Sequence, residues 1–272
     1  MNTLQLIDSK QFYLTSTSKI GVKMNSTMNS KINFEIPRFI TKQNNILYHS
    51  IKVLHAEIPY SFYIINETNN IINLVINSIN HFFVVPVGNY NAFTLLNILN
   101  TIDNKITFVL DNATGKYSIS SNFSFSVLSS STLLKIIGGV LKTTYTAVLD
   151  IHNKYNLNFP FAVNLLGTKN IYIKCNLILE NLQTKTNDNQ TLKSIPVNVP
   201  PFGLILYNNI ENIESLVKNS QIDDLNIEIY DNEDNVINMN NQDWSITIEL
   251  KSVLQVSYNT QTIDEYLNQN LN

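Results

Sequence analysis

The sequence predicts an all-β fold, an antiparallel sandwich of the jelly-roll kind, on three observations. Strand signals recur at short intervals along most of the chain, helical signals are confined to short stretches, and strands never alternate with long helices as they would around a parallel sheet. No period of roughly 20 to 50 residues repeats, which argues against a solenoid or propeller. Jelly rolls are the commonest large member of what remains. At 272 residues, one large β domain and a domain carrying an insertion both fit the length.

Residues 1–30 are polar, and "STSKIGVKMNSTMNSK" has neither strand nor helix periodicity, so an extended or mobile N-terminal arm is expected there. In "INFEIP", Ile32, Phe34 and Ile36 alternate with polar neighbours, the period of a half-buried strand. The long β-branched run "NNILYHSIKVLHAEIPYSFY" follows and stops at Pro59, as a strand turning a corner would. Strands are then expected at "IINLVIN", "HFFVVPV", "KITFVL", "KYSIS" and "FSFSVL", with "DNATG" closing a hairpin over Ile106–Ile119.

Between these strands Phe93, Leu96, Leu99 and Ile102 fall at i, i+3 spacing, predicting a helix of about three turns. A second short helix is expected at "SSSTLLKIIGG", capped by Ser or Thr and stopped by Gly138. From Phe159 strand signals return in "NIYIKCNLIL", "SIPVNV", "FGLILYN", "DLNIEIYD" and "WSITIEL", with residues 182–194 as a loop and a tail of frayed helix or disorder after Tyr258.

Composition excludes several function classes. The net charge is −3, and no basic stripe is present, which argues against direct nucleic-acid binding. Charged residues make up only 14% of the chain against 44% hydrophobic, so Asn, Ser, Thr and Gln must cover the surface. Asn and Ile dominate and Arg38 is the one arginine, a set whose codons are AT-rich. Cys175 stands alone in "IYIKCNLIL" and reads as a buried small hydrophobe, with no disulfide or cysteine zinc cluster open to it. No apolar run approaches the ~20 residues of a membrane span, and the start lacks a signal-peptide core, so synthesis in a cytosol is expected. Sequons at Asn25, Asn66, Asn112, Asn122 and Asn189 then meet no glycosylation machinery.

Candidate chemistry is sparse. Asp231, Glu233 and Asn235 alternate oxygen ligands as a calcium loop would, but Val236 stands where such a loop needs glycine and Gln242 where it needs a bidentate carboxylate. A solvated hairpin turn accounts for the stretch better. His49 and His55 are six apart on one predicted strand and so are expected on the same face, about 20 Å apart, too far to share a metal. His81 and His152 have no ligand-type neighbours at metal spacing. Glu211, Glu214, Asp223 and Asp224 are the carboxylates from which an acid–base pair could be drawn, but they lie in a polar segment without a pocket signature. Nucleophile-elbow, P-loop and dinucleotide glycine motifs are missing. No catalytic, metal or cofactor site and no enzyme activity are expected.

The residues singled out are structural. Period-2 alternation puts Trp244, Ile246, Ile248 and Leu250 on one face and Ser245, Thr247 and Glu249 on the other, making Trp244, with Ile246 and Ile248, the expected core anchor. The 13 Tyr and 13 Phe are assigned to core and subunit interface rather than to a ligand platform.

Six segments occur in the same order as in the penton, or vertex capsid, protein of virophages and the related maverick (polinton) and giant-virus lineage, which the chain resembles over roughly residues 31–250. They are "EIPYSFYIIN", "VPVGNYNAFTLLNILN", "ITFVLDNATGKYSIS", "LLKIIGG", "PFGLILYNN" and "IYDNEDNVINMNNQDWSITIEL". The resemblance implies a single jelly roll with an inserted small β-rich domain carrying one or two short helices. It divides the chain into an arm at 1–30, a discontinuous base at 31–66 and 150–256, an insertion at 67–149 and a tail at 257–272. It also implies a structural protein of the virion, made in the host cytoplasm or viral factory. That protein would be a homopentamer closing each icosahedral vertex, with the major capsid protein, and minor capsid proteins, as partners. The chain departs from the pattern at Gly138-Gly139, where relatives often carry Gly-Phe, and in an arm without a basic run to touch genome. Two other readings remain open at this stage: a minor or cement capsid protein, and a carbohydrate-binding jelly-roll attachment module.

Overall fold

The computed structural model describes residues 2–17, 21–23, 28–35, 46–178, 190–217, 222 and 224–258. The chain divides into two compact units, a base formed by Met1–Phe62 with Thr168–Asn272 and an inserted unit, Tyr63–Gly167. Among the described residues, four strands precede the insertion: β1 (Asn2–Thr15), β2 (Gly21–Lys23), β3 (Lys31–Glu35) and β4 (Ile46–Pro59). The inserted unit contains β5 (Ile71–Ile76), β6 (Ile79–Val84), α1 (Ala92–Leu99), β7 (Ile106–Asp111), β8 (Lys116–Ser121), β9 (Phe125–Val127), β10 (Tyr145–Thr146), β11 (Val148–Leu149) and β12 (Tyr155–Asn158). The base resumes with β13 (Asn170–Cys175), β14 (Thr191–Pro196), β15 (Leu204–Asn208), β16 (Ser215–Leu216), β17 (Asp224–Tyr230) and β18 (Ser245–Tyr258).

The base is two antiparallel sheets, one ordered β1-β18-β4-β15 with β16 also on β4, the other β14-β13-β17-β3-β2. Apart from the short β2 and β16, its strands in chain order are β1, β3, β4, β13, β14, β15, β17 and β18. The first pairs with the last, the second with the seventh, the third with the sixth and the fourth with the fifth. A long hairpin rolled onto itself gives that nesting, which is the jelly roll. The insertion interrupts it between the third and fourth strands.

Alternation builds the sandwich core. On β17 Leu225, Ile227 and Ile229 are buried between half-buried neighbours, and on β3 Ile32 and Phe34 are buried. They pack with Ile51, Ile58, Ile171, Ile173 and Ile246 in one cluster.

Three expectations change in this unit. In place of an extended arm, residues 2–15 form β1 and pair with β18 along their whole length. The polar run Asp8–Gln11 lies exposed on this edge strand, which needs no apolar alternation at that point. The expectation that His49 and His55 share a face fails at a β-bulge. Thr247 pairs with His55 but the next residue, Ile248, pairs with Val53, leaving Leu54 unopposed. The extra residue inverts the side-chain parity: Ile51 and Val53 are buried before it, Ala56 and Ile58 after it. His49 is therefore buried while His55 is exposed. Of the expected 182–194 loop, the described part from Thr191 to Ser194 belongs to β14; most of the loop, like the tail beyond Tyr258, lies outside the described residues.

The inserted unit has its own two antiparallel sheets, β10-β9-β5-β6 and β11-β12-β8-β7, and its own core around Ile72, Leu74, Phe108, Tyr117, Ile119 and Phe159. Its compact span, Tyr63–Gly167, is wider than residues 67–149. Asn77 and Ser78 both take positive φ between Ile76 and Ile79, the backbone a two-residue hairpin requires. In the β7–β8 hairpin Asp111 accepts from the Ala113 N–H at 2.9 Å and the Thr114 hydroxyl at 2.5 Å, and Gly115 supplies the left-handed residue.

Helix α1 is capped by Asn91, whose side chain accepts from the N–H groups of Phe93 and Thr94 while Thr94 bonds back to the Asn91 N–H. It is eight residues long, nearer two turns than three, and its buried pair is Leu95 and Leu99, with Phe93 exposed. Leu95 and Leu99, an i, i+4 pair, pack into the core of the inserted unit. The second expected helix is a single 3₁₀ turn, Thr132–Lys135. The Ser131 hydroxyl does not cap it, because it accepts the Asn73 N–H of β5 at 2.9 Å. Gly138 follows with φ +92°, and a Cβ there would lie 2.1 Å from the Phe161 carbonyl oxygen.

Candidate functional site

Strand β17 ends at Tyr230, and the chain turns through Asp231–Asn235 to an isolated bridge between Tyr230 and Val236. The Asp231 carboxylate is consumed by that turn: Oδ1 accepts from the N–H groups of Glu233 at 2.8 Å and Asn235 at 2.9 Å. Asp234 takes positive φ and its carboxylate meets Lys174 Nζ at 2.5 Å. The cation of Lys174 lies 4.0 Å from the centre of the Tyr230 ring, and Lys31 lies 5.3 Å from it. Asp231, Glu233 and Asn235 therefore form a braced turn. Among the described residues no group of three or more His, Cys, Asp or Glu side chains could hold a metal ion.

Beyond the turn, Ile237 and Met239 are buried, Asn240 and Asn241 take positive φ, and the chain reaches Trp244 at 2% exposure. The indole donates to the Asn29 carbonyl oxygen at 2.7 Å and packs edge-on against Phe34 at 6.3 Å. The Trp244 backbone N–H donates to the Ser16 hydroxyl at 2.9 Å. Asn29 Nδ2 in turn donates to the Gln242 carbonyl at 2.7 Å and the Asp243 carboxylate at 3.2 Å. Ile246, Ile248 and Leu250 are buried below Trp244, with Ser245, Thr247 and Glu249 on the opposite face. A polar clasp from Ser16 and Asn29 thus holds the head of β18. Sequence reasoning missed it because single Ser and Asn residues in a polar stretch carry no periodic signal.

On the outer face of the same sheet a network of charges crosses three strands and a loop. Lys52 Nζ of β4 meets Glu249 Oε2 of β18 at 2.6 Å, with side chains 7% and 13% exposed, and also donates to Asn212 Oδ1 at 2.5 Å. The Ser9 hydroxyl of β1 donates to Glu249 Oε1 at 2.6 Å. Lys251 Nζ meets Glu214 Oε1 at 2.6 Å, and the Ser50 hydroxyl donates to Glu214 Oε2 at 2.5 Å. Burial pushes the carboxyls of Glu249 and Glu214 up, but lysine and serine hydrogen bonds and the lysine charges outweigh it and hold both below the ordinary range. The hydrogen bond to Glu214 raises Lys251. Sequence reasoning missed this network as well: in "SIKVL" Lys52 alternates with Ile51 and Val53, the pattern of a solvent-facing position, and nothing there marks it as buried.

The remaining candidates do not converge. Glu214 is bound in this network, Glu211 is exposed, Asp224 lies on β17 of the other sheet, and Asp223 is outside the described residues. His49 Nδ1 lies 2.9 Å from the Ser252 hydroxyl, His55 is 2.6 Å from Asn208 Oδ1, and His81 is 3.3 Å from Asp103 and stacked on Phe83. Burial pushes the Cys175 thiol up to about 12, leaving it an inert apolar group.

Apolar exposure singles out one edge of the base. There β4 is flanked by β15 over Pro59–His55, then by a loop from Asn209 to Glu214, then by β16. Phe202, Leu204, Leu206, Ile210, Ile213 and Leu216 are all exposed along it. The aromatics divide in the same way: Phe34, Phe108, Tyr117, Phe159 and Trp244 fill cores, while Tyr13, Phe82, Phe93 and Phe202 lie open. No helix among the described residues is long and apolar enough to cross a membrane.

No family model matches the chain, and neither does any curated protein. Among solved structures it is similar to the mavirus penton protein, at a TM-score of 0.47 and 11% identity over 93% of this chain and 100% of that one. It is also similar to a chain of the Sputnik virophage structure, at a TM-score of 0.43 and 12% identity over 89% of this chain and 97% of that one.

Proposed function

We propose that this chain is a structural virion protein that assembles as a homopentamer at the five-fold vertices of an icosahedral capsid and contacts the major capsid protein around it. The base roll forms the ring, and the inserted unit is a separate body with its own core. The observation that carries the reading is where the six resembling segments fall. "EIPYSFYIIN" spans the end of β4 and the passage into the inserted unit, "VPVGNYNAFTLLNILN" includes the Asn91 cap and α1, and "ITFVLDNATGKYSIS" is the β7–β8 hairpin. "LLKIIGG" is the 3₁₀ turn with Gly138, "PFGLILYNN" is edge strand β15, and the last segment runs from β17 through the braced turn to Trp244 and β18. The six segments thus fall on strand ends, the helix cap, turns and an edge strand of both units, and that placement supports the reading.

The nesting of the base strands supports the same reading, and so does the use of charged residues, which brace turns and sheets. Mass measurement and negative-stain imaging of the purified full chain test it. Five-fold rings are expected; a strict monomer or trimer under all conditions rejects the reading, as does a particle reconstruction that places the chain away from the five-fold axes.

A further inference from the structure

Among the described residues, every large apolar side chain that the base exposes, except Tyr13, lies along the free edge of the first sheet; Leu47 and Tyr48 continue it at the end of β4 beyond β16. Patches larger than a few hundred Å² mark interaction surfaces on soluble proteins. Eight such residues, 46% to 92% exposed, follow one another along this edge. Edge strands are ordinarily protected by lysine or proline, and β15, "LILYN", has neither.

The surface is also braced. Asn209 binds Ile213 from both sides, Nδ2 donating to its carbonyl at 3.2 Å and Oδ1 accepting its N–H at 3.3 Å, and the Asn209 N–H donates to the Leu54 carbonyl at 2.9 Å. Asn212 and Glu214 anchor the far side of the loop to Lys52 and Lys251. Ile210, 92% exposed, is therefore held out to solvent by a fixed turn, so little further ordering is required on docking.

We propose that this edge, β15 with the 209–214 loop and β16, receives a second copy of the same chain, which presents its β1 edge with Tyr13. Tyr13 is 74% exposed on the opposite edge strand, and the register runs from it through Thr247 and His55 to Asn208, so the two edges lie at one level of one sheet. Unlike faces on opposite edges make a head-to-tail contact, the kind that closes rings. The inference rests on the homopentamer reading and names the surface that reading needs.

The test uses the full chain carrying Tyr13→Cys and Ile210→Cys together, treated with a short bis-maleimide; the native Cys175 is buried. A ladder of covalent multimers up to five is expected from the double variant and none from either single variant. Leu206→Glu is expected to raise the concentration needed for ring assembly at least tenfold, while Ile151→Glu in the inserted unit leaves it unchanged. Intact rings without links in the double variant, or paired links from Ile210→Cys alone, overturn the surface assignment and leave the ring reading standing. A wild-type chain that never assembles overturns both.

Discussion

Lys52 and Glu249 meet across neighbouring strands of the first base sheet, 2.6 Å apart and almost closed to solvent. Charges taken this far out of water are tolerated because each is satisfied more than once: Glu249 by Lys52 and Ser9, Lys52 by Glu249 and Asn212. Removing one partner leaves the other charge buried, which typically costs 3–5 kcal/mol. Glu249→Gln is therefore expected to lower unfolding free energy by on the order of 3 kcal/mol in urea titrations. The double change Lys52→Met with Glu249→Leu is expected to recover most of it, since well-packed apolar pairs replace buried ion pairs at little cost. A single-variant loss below about 1 kcal/mol would show the pair to be solvated.

The same network fixes a pH dependence. Glu249 and Glu214 are both held below their ordinary 4.5 in the folded protein. The unfolded chain therefore takes up protons first as pH falls, so the stabilisation is present above about 4.5 and is lost as pH drops through the lower folded values. The urea midpoint is expected to be flat from pH 7 to 5 and to fall below that. Glu249→Gln should flatten the acid limb in part, and an unchanged limb would assign the acid sensitivity elsewhere. Added salt should weaken mainly the Lys251–Glu214 pair, whose side chains are 21% and 30% exposed.

The strands were legible wherever one face is buried. The alternation on β3, β17 and the first half of β18 is written directly in the residues, as is the β7–β8 hairpin through Asp111 and Gly115. Features resting on a single residue out of period were not legible. The unopposed Leu54 reverses the parity of β4 and separates His49 from His55, and nothing in a strand pattern marks one extra residue. Strand β1 was missed because its run Asp8–Gln11 lies exposed on an edge, where polar residues are tolerated as well as apolar ones. The apolar edge at 202–216 was hidden for the converse reason: the pattern of "FGLILYN" shows alternation but not that β15 ends the sheet among the described residues.

Trp244 tests the clasp. Replacing it with Ala empties a large space in the sandwich and is expected to cost about 3–5 kcal/mol. Trp244→Phe keeps most of the packing but leaves the Asn29 carbonyl without the indole N–H, a loss of about 1–3 kcal/mol. If chemical denaturation finds Trp244→Ala near neutral, the residue is not a core anchor.

Gly138 gives the sharpest prediction for the inserted unit. Its φ of +92° is one that residues with a Cβ rarely adopt, and an added Cβ would sit 2.1 Å from the backbone oxygen of Phe161. Backbone cannot move aside as a flexible side chain can, and the Phe161 N–H is itself bonded to the Gly138 carbonyl at 3.0 Å, so the two segments are locked together. Gly138→Ala is expected to cost more than about 2 kcal/mol, through both the strained φ and the clash. At Gly139 the nearest atom to an added Cβ is Leu134 Cδ2 at 2.9 Å, the end of a side chain that can rotate, so Gly139→Ala should cost less. Because the 3₁₀ turn packs into a core confined to the inserted unit, amide exchange in Gly138→Ala is expected to accelerate within Tyr63–Gly167 and to stay near wild type in β17 and β18. Equal acceleration in both units would show that they unfold as one.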